Sequence, residues 1–111
     1  MAKFVVFFSY SSDAWARLID SPGDRGAAVQ QMIGSVGGSL ESMYWMFGTH
    51  DGMAIVDVPD SVSIAAVNVA TLSTGTITHV QTQELLTQQQ LSHVLQRARD
   101  AVQVFRRPGE D

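Results

Sequence analysis

The sequence has 111 residues, of which 45% are hydrophobic and only 16% are charged, and its formal net charge is −4. This length fits one domain with one core, the negative charge argues against a nucleic-acid partner, and the absence of Cys excludes disulfides and thiolate chemistry. No window approaches the roughly 20 apolar residues that cross a bilayer. We therefore expect a cytoplasmic protein with no membrane partner, in which residues 1–107 form a single domain and 108–111 a flexible tail.

The first strand is predicted at residues 4–10, where aromatic and β-branched residues are concentrated. Both of its alternating sets of side chains are apolar, so this strand requires cover on both faces. A short helical turn follows at "SSDAWARLID", with Ser12 or Asp13 as its cap. The next segment predicts an amphipathic helix that is capped by Ser21 and ends before a pair of glycines. Its apolar positions are Val29, Met32, Ile33 and Val36.

The middle of the chain predicts a β-hairpin. Residues 40–47 and 53–58 have strand composition and are bounded by glycines. Between them lies "GTHDG", whose terminal residues Gly48 and Gly52 tolerate a positive φ at little cost. His50 and Asp51 are therefore expected in a hairpin turn.

The second half predicts a helix, a strand and a final helix. The helix is capped by Asp60 or Ser61, the strand covers 76–82, and Thr87 with Gln90 has capping-box spacing at the start of the final helix. The apolar positions predicted to face the core in the first of these helices are Val62, Ala66, Val69 and Leu72. The final helix, 87–105, is expected to dock on its own subunit or on a neighbour by Leu91, Val94, Leu95, Ala98, Val102 and Phe105.

The predicted order β, α, β, β, α, β is the split βαβ arrangement of ferredoxin-like domains, an α+β fold with a four-stranded antiparallel sheet. The C-terminal helix is an addition to that arrangement. Because the helices cover one face only, the apolar side chains on the other face would be exposed in a monomer, which soluble monomers usually avoid. We therefore expect the chain to associate with itself, as a homodimer or a higher oligomer.

The run from Phe4 to about Leu91, some 80% of the chain, resembles the GYD domain family of small bacterial and archaeal proteins. The features that carry the resemblance are "GGSLESMYWMFGTHD", then "VDVPD" after the third strand, Glu84 closing the fourth, and "SPGDR" before the long helix. The family's Gly-x-Tyr-Asp motif corresponds to Gly48, Thr49, His50 and Asp51, so His50 stands where the family has Tyr. The resemblance implies a dimeric α/β barrel of ferredoxin-like subunits, places Arg25 at the family's corresponding position, and implies no activity.

His50 and Asp51 are the first candidate site. Adjacent His and Asp also occur in metal phosphohydrolases, but those need further His and Asp ligands on neighbouring helices, which three His in the whole chain do not supply. Two interpretations remain open. Asp51 either accepts backbone N–H groups in the turn, or lies with His50 at the rim of a pocket.

The remaining candidates for ligand binding are His79, Tyr44, Asp57 and Arg25. His79 shares an alternating face of its strand with Ile77 and Gln81, and it would act as a proton carrier or haem ligand if that face lined a barrel interior. Tyr44 belongs to a group of aromatic side chains that form either core and interface or a platform for a flat compound. Neither a nucleophilic triad nor a phosphate loop has support in the sequence.

Two classes of function follow. The first is a non-catalytic oligomeric module that binds a small apolar or aromatic ligand or has a structural role. The alternative is a cofactor-independent enzyme acting on an aromatic or quinone-like compound, and whether this chain is an enzyme is left open. No metal and no cofactor are expected in either case. A cavity that His79, Asp57 or Tyr44 enters would favour the enzyme.

Overall fold

The computed structural model describes residues 1–110 of the chain, so Asp111, the end of the predicted tail, lies outside the described residues. The elements follow the predicted order, with two helices between the first two strands. In chain order they are β1 (Ala2–Tyr10), α1 (Ser12–Asp20), α2 (Arg25–Ser35), β2 (Ser39–Trp45), β3 (Gly52–Val58), α3 (Ser61–Ser73), β4 (Ile77–Leu85) and α4 (Gln88–Val104).

The four strands form one antiparallel sheet in the order β2-β3-β1-β4. β1 is central, and its Phe4 lies opposite Val56 of β3 and Glu84 of β4. β4 extends three residues beyond its predicted end, because β1 continues to pair with it as far as the register between Lys3 and Leu85. The predicted fold class, ferredoxin-like α+β, is confirmed.

The N-terminal caps of α1 and α2 differ from those predicted. Ser11, not Ser12 or Asp13, caps α1, because its hydroxyl accepts the backbone N–H of Ala14. Asp24 caps α2 in place of Ser21, since its carboxylate accepts the N–H of Ala27 at 3.1 Å. In each case the cap is the residue whose side-chain oxygen reaches an otherwise unpaired N–H in the first turn.

The hydrophobic core lies between the sheet and the helices. From β1 it takes Phe4, Phe8 and Tyr10, which share one face by alternation. β3 contributes Ala54, Val56 and Val58, and the helices contribute Ala14, Ile33, Ile64 and Val67. Val56, Val58 and Ile33 are almost completely buried, so the centre of the core lies between β3 and α2.

α3 packs by a different face from the one predicted. Its buried side chains are Ile64 and Val67. The predicted stripe of Val62, Ala66, Val69 and Leu72 points away from the sheet and is exposed, and Val62 retains 77% of its accessible surface. The helix is apolar around most of its circumference, so hydrophobic spacing alone did not select the face that packs.

The other face of the sheet carries no helix. Its centre is apolar, with Val5 and Phe7 of β1 beside Met53 and Ile55 of β3. Val5 is buried by its neighbours on this face and is absent from the core cluster on the helix side. We call this surface the open face. It confirms that β1 is apolar on both sides and that the helices of the same chain cover only one of them.

α4 projects away from the body of the protein. Its residues, all of which the structure describes, are exposed without exception. The radius of gyration is 18.1 Å, whereas a compact chain of this length has about 13 Å. Docking of α4 on its own subunit is therefore wrong. No helix in residues 1–110 is long and apolar enough to span a membrane.

Candidate functional site

The helix side of the protein contains an apolar cleft of about 380 Å³ between α2, α3 and the sheet. Its floor is formed by Val6, Phe8 and Val80, and its walls by small and apolar side chains of the two helices. Ala28 and Ala70, one on each wall, leave space that larger side chains would fill. The volume falls in the range of pockets that hold small organic ligands.

Arg25 is the one charged residue among the described residues that line this cleft. Its Nε donates a hydrogen bond to the hydroxyl of Tyr10 at 3.4 Å, and it forms no ion pair within the part of the chain that the structure covers. No Asp or Glu side chain of residues 1–110 faces the cleft. The guanidinium group is thus held at the edge of an apolar space without a carboxylate to neutralise it, which suits an anionic group of a ligand.

Two polar side chains of α3, Asn68 and Thr71, line the same cleft and were not among the predicted site residues. Asn68 lies one helical turn after buried Ile64 and donates from Nδ2 to the Thr82 hydroxyl at 2.8 Å. Thr71 follows on the same side of the helix and donates to the backbone carbonyl of Asn68. The signal for this pair was available, because Asn68 is the one amide side chain in a helix without charged residues.

The side chain of Asp51 bonds outside its own loop. Its Oδ2 accepts the backbone N–H of Tyr10 at 2.8 Å and the indole N–H of Trp15 at 3.3 Å. Asp51 thereby joins the β2–β3 connection to the end of β1 and to α1. The prediction that this carboxylate accepts backbone N–H groups in the turn is wrong, because its backbone donor, Tyr10, is 41 residues distant in sequence.

Tyr10 connects the residues around Asp51 to the cleft. Its ring stacks on Trp45 at a centroid distance of 5.9 Å and meets Trp15 edge-on at 5.3 Å. Its hydroxyl reaches Arg25 on the opposite side. A continuous set of contacts therefore runs from Asp51, the acidic residue of the family motif, through Tyr10 to Arg25 in the cleft wall.

The end of β2 and the backbone angles of the β2–β3 loop differ from the prediction. β2 ends at Trp45, two residues before its predicted end, and Phe47 takes a positive φ of 41° while Gly48 and Gly52 do not. Gly52 is required for a steric reason instead, because a Cβ at this position would lie 2.5 Å from Cζ of Phe8. The prediction that these two glycines supply positive φ is wrong.

His50 and His79 meet on the open face. Their rings are parallel to within 7° at a centroid distance of 5.6 Å, and His50 also stacks on Phe7 at 5.3 Å. Nδ1 of His50 is buried and has no hydrogen-bond partner among the described residues. Ile77 does not share the face of His79, because an irregularity between Ser9 and Tyr10 shifts the register and turns Ile77 toward the helices.

Asp57 and Tyr44 lie elsewhere on the open face. Asp57 pairs with Lys3 at 3.1 Å, and Lys3 also contacts Glu41. The hydrogen bond to Glu41, followed by that to Asp57, raises the pKa of Lys3 above its usual 10.5. Tyr44 lies opposite Met53 near the other end of β2 and is 60% exposed.

The six predicted binding residues therefore occupy three places. His50, His79, Tyr44 and Asp57 lie on the open face, where only the two histidines touch. Asp51 lies at the junction of β1, α1 and the β2–β3 loop, and Arg25 lies in the cleft. Within residues 1–110 the structure brings together no group of three or more His, Asp or Glu side chains in a metal-binding arrangement.

The four-stranded antiparallel sheet, with helices and a cleft on one face and an open apolar surface on the other, defines an α+β protein of the ferredoxin-like class. The family model described as "GYD domain" matches residues 4–95 of the sequence. The chain belongs to the GYD domain family, as the resemblance in its sequence indicated. Among curated proteins, none matches this sequence.

Two solved structures are similar to this one in fold. The crystal structure of MtbAldR superposes with a TM-score of 0.50 at 12% identity, over 78% of this chain and 53% of that one. This chain thus spans about half the length of MtbAldR. The protein At3g17210 from Arabidopsis thaliana has a TM-score of 0.48 at 10% identity, over 78% of this chain and 95% of that one.

Proposed function

We propose that this protein is a non-catalytic binding module whose cleft holds a small, mainly apolar compound with one acidic group. The observation that carries the proposal is the position of Arg25, whose unneutralised guanidinium group borders an apolar space of about 380 Å³. Apolar walls supply affinity by burial, and a charged donor selects an anionic end. A carboxylic acid with an alkyl or aromatic body has this chemistry.

The alternative of a cofactor-independent enzyme has less support. It required His79, Asp57 or Tyr44 to enter an enclosed cavity, and none of these three lines the cleft. Tyr10 and Arg25 do border it and are hydrogen-bonded to each other, which suits binding of an acidic group. Binding without chemistry is therefore the function that the geometry favours.

We further propose that the module acts as a homodimer, or a higher oligomer, formed through the open face. Support comes from Phe7, Met53 and Ile55, which form the centre of a face that no helix of the same chain covers. A second copy would remove this apolar surface from water.

Sodium decanoate and 1-decanol are suitable probes for the cleft, because they differ mainly in the charged end group. Trp15 and Trp45 pack around Tyr10, so their fluorescence reports binding next to Arg25. Decanoate is expected to bind the wild type about tenfold more tightly than decanol, the scale of one charge-assisted hydrogen bond. Arg25→Gln should remove that preference.

Two further variants locate the binding. Ala28→Phe fills the cleft and should abolish binding of both probes, whereas Arg97→Gln on α4 removes an equal charge far from the cleft and should change neither affinity. Equal affinities of Arg25→Gln and wild type for decanoate would overturn the assigned role of Arg25. Binding that survives Ala28→Phe would overturn the cleft as the site.

A further inference from the structure

α4 carries an apolar stripe that no other part of residues 1–110 covers. The stripe consists of apolar side chains at helical spacing, whose large members range in exposure from 41% at Leu91 to 72% at Val102: Leu91, Val94, Leu95, Ala98, Val102 and Phe105. A single unpacked helix of this length is only marginally stable in water. The stripe therefore lacks the packing that normally stabilises an amphipathic helix in a protein.

α3 has a second apolar stripe, which is also exposed to water. Val62, Ala66 and Val69 point away from the sheet, Leu72 flanks them, and the helix contains no charged residue between Ser61 and Ser73. A helix exposed to water on that side normally carries charged residues there. The stripe on α3 extends over 11 residues and the main part of the stripe on α4 over 12, so the two surfaces match in length.

Charge also favours contact between α4 and the body of another copy. Residues 88–110 carry four Arg and two acidic residues, whereas residues 1–87 carry three basic and eight acidic residues. On a helical wheel Arg97 and Arg99 flank the apolar stripe of α4 on either side. Opposite net charges on the two segments favour their approach and oppose pairing of one α4 with another.

Every residue of α4 is exposed, so α4 does not pack on its own α3. Only Leu86 and Thr87 separate β4 from α4. Thr87 and Gln90 form a complete capping box, in which each side chain bonds to the backbone of the other, and this fixes where the helix begins. A contact between α4 and α3 is consequently easier to make between two copies than within one.

We propose that α4 is an exchanged arm, which docks by its apolar stripe on the outer stripe of α3 in a second copy of this chain. In a twofold arrangement the α4 of each copy docks on the α3 of the other, so the α3 and α4 stripes of both copies are covered. This interface is separate from the cleft and from the open face. The second half of the arm, residues 96–105, also lies beyond the part of the chain that the family model matches.

Disulfide trapping tests the contact directly, because the chain contains no Cys of its own. Val69→Cys on α3 and Leu95→Cys on α4 are made as two separate proteins, mixed, and oxidised. A disulfide forms only where two Cα atoms come within about 7 Å. We expect a covalent heterodimer of the two variants, which cannot arise from a contact within one chain.

Gln96→Cys is the matched control, since it lies next to Leu95 but on the polar side of α4. Mixed with Val69→Cys, it should give little or no heterodimer. Cross-linking of Leu95→Cys to itself, or to Ile55→Cys on the open face, in preference to Val69→Cys would overturn the proposal. Neither result bears on the decanoate experiment, so failure of the arm and failure of the cleft are distinguishable.

Limited proteolysis of the unmodified protein gives a second measurement. Arg97 and Arg99 are trypsin sites in the middle of α4 and are exposed in the single chain. Docking should make cleavage at these sites slow at high protein concentration and roughly tenfold faster at a dilution that separates the copies, since cleavage follows the population of the open form. Cleavage that is equally fast at both concentrations would overturn the proposal.

Discussion

The carboxylate of Asp51 accepts the backbone N–H of Tyr10 at 2.8 Å and so ties the β2–β3 loop to the end of the central strand. Asp51→Ala would leave this N–H and the indole N–H of Trp15 without an acceptor. We expect the free energy of unfolding to fall by about 2 kcal/mol, the scale of a hydrogen bond to a charged group. Urea denaturation measures the loss. Asp51→Asn keeps one acceptor oxygen and should lose less, so an unchanged midpoint for Asp51→Ala would contradict this role.

His50 contributes a stacked ring to the open face. His50→Tyr restores the residue that the family has at this position and keeps an aromatic ring beside Phe7 and His79, so its stability should stay within about 0.5 kcal/mol of wild type. His50→Ala removes both stacks and should cost about 1 kcal/mol. A chelator should leave the urea curves of all three proteins unchanged. A large loss in His50→Tyr would show that an imidazole, rather than a ring, is needed.

Gly48 in the β2–β3 loop and Gly52 at the start of β3 lie four residues apart and differ in the space around them. A Cβ on Gly52 would lie 2.5 Å from the ring of Phe8, while one on Gly48 would come no nearer than 3.8 Å to the carbonyl of Met46. Gly52→Ala should therefore destabilise the protein by roughly 1–3 kcal/mol, the cost of overpacking a core. Gly48→Ala is the control and should be close to neutral. Similar losses in the two variants would refute the steric explanation.

The proposed self-association through the open face would depend on its apolar centre. Ile55→Glu places a charge opposite Val5, where a second copy would have to bury it, and should shift the sedimentation mass from dimer or higher toward monomer. Gln31→Glu adds the same charge on the exposed side of α2 and should leave the mass unchanged. A wild type that sediments as a monomer at micromolar concentration would refute self-association altogether.

Asp60 links stability to pH at the start of α3. Its carboxylate accepts the backbone N–H and the hydroxyl of Ser63, and the backbone bond is the main reason that its pKa lies below the ordinary 3.8. Because the pKa is lowered on folding, this contribution is present in full above pH 3.8 and is lost as the pH falls through the folded value. Thermal melts of Asp60→Asn should therefore depend less on pH in this acid range than those of wild type. Identical slopes for the two proteins would contradict the linkage.

Local features of the fold were predictable because they depend on residues close together in the sequence. The strands followed from runs of β-branched and aromatic residues, and the capping box of α4 followed from the spacing of Thr87 and Gln90. The sequence of β1 also indicated a sheet with one uncovered face, since both of its alternating sets are apolar. Those observations were enough for the fold class, whereas the family followed from short motifs such as "VDVPD".

Tertiary structure decided the features that depend on contacts between distant residues. α3 is apolar on two sides, so only packing selected Ile64 and Val67 over Val62 and Val69. A single irregularity in the pairing of β1 with β4 separated Ile77 from His79, because a shift of one residue turns a side chain to the other face. The cleft likewise exists only because α2 and α3 approach the sheet with a space between them, which brings Arg25 beside Tyr10. No spacing along the chain encodes that separation, since it is set by how whole helices pack.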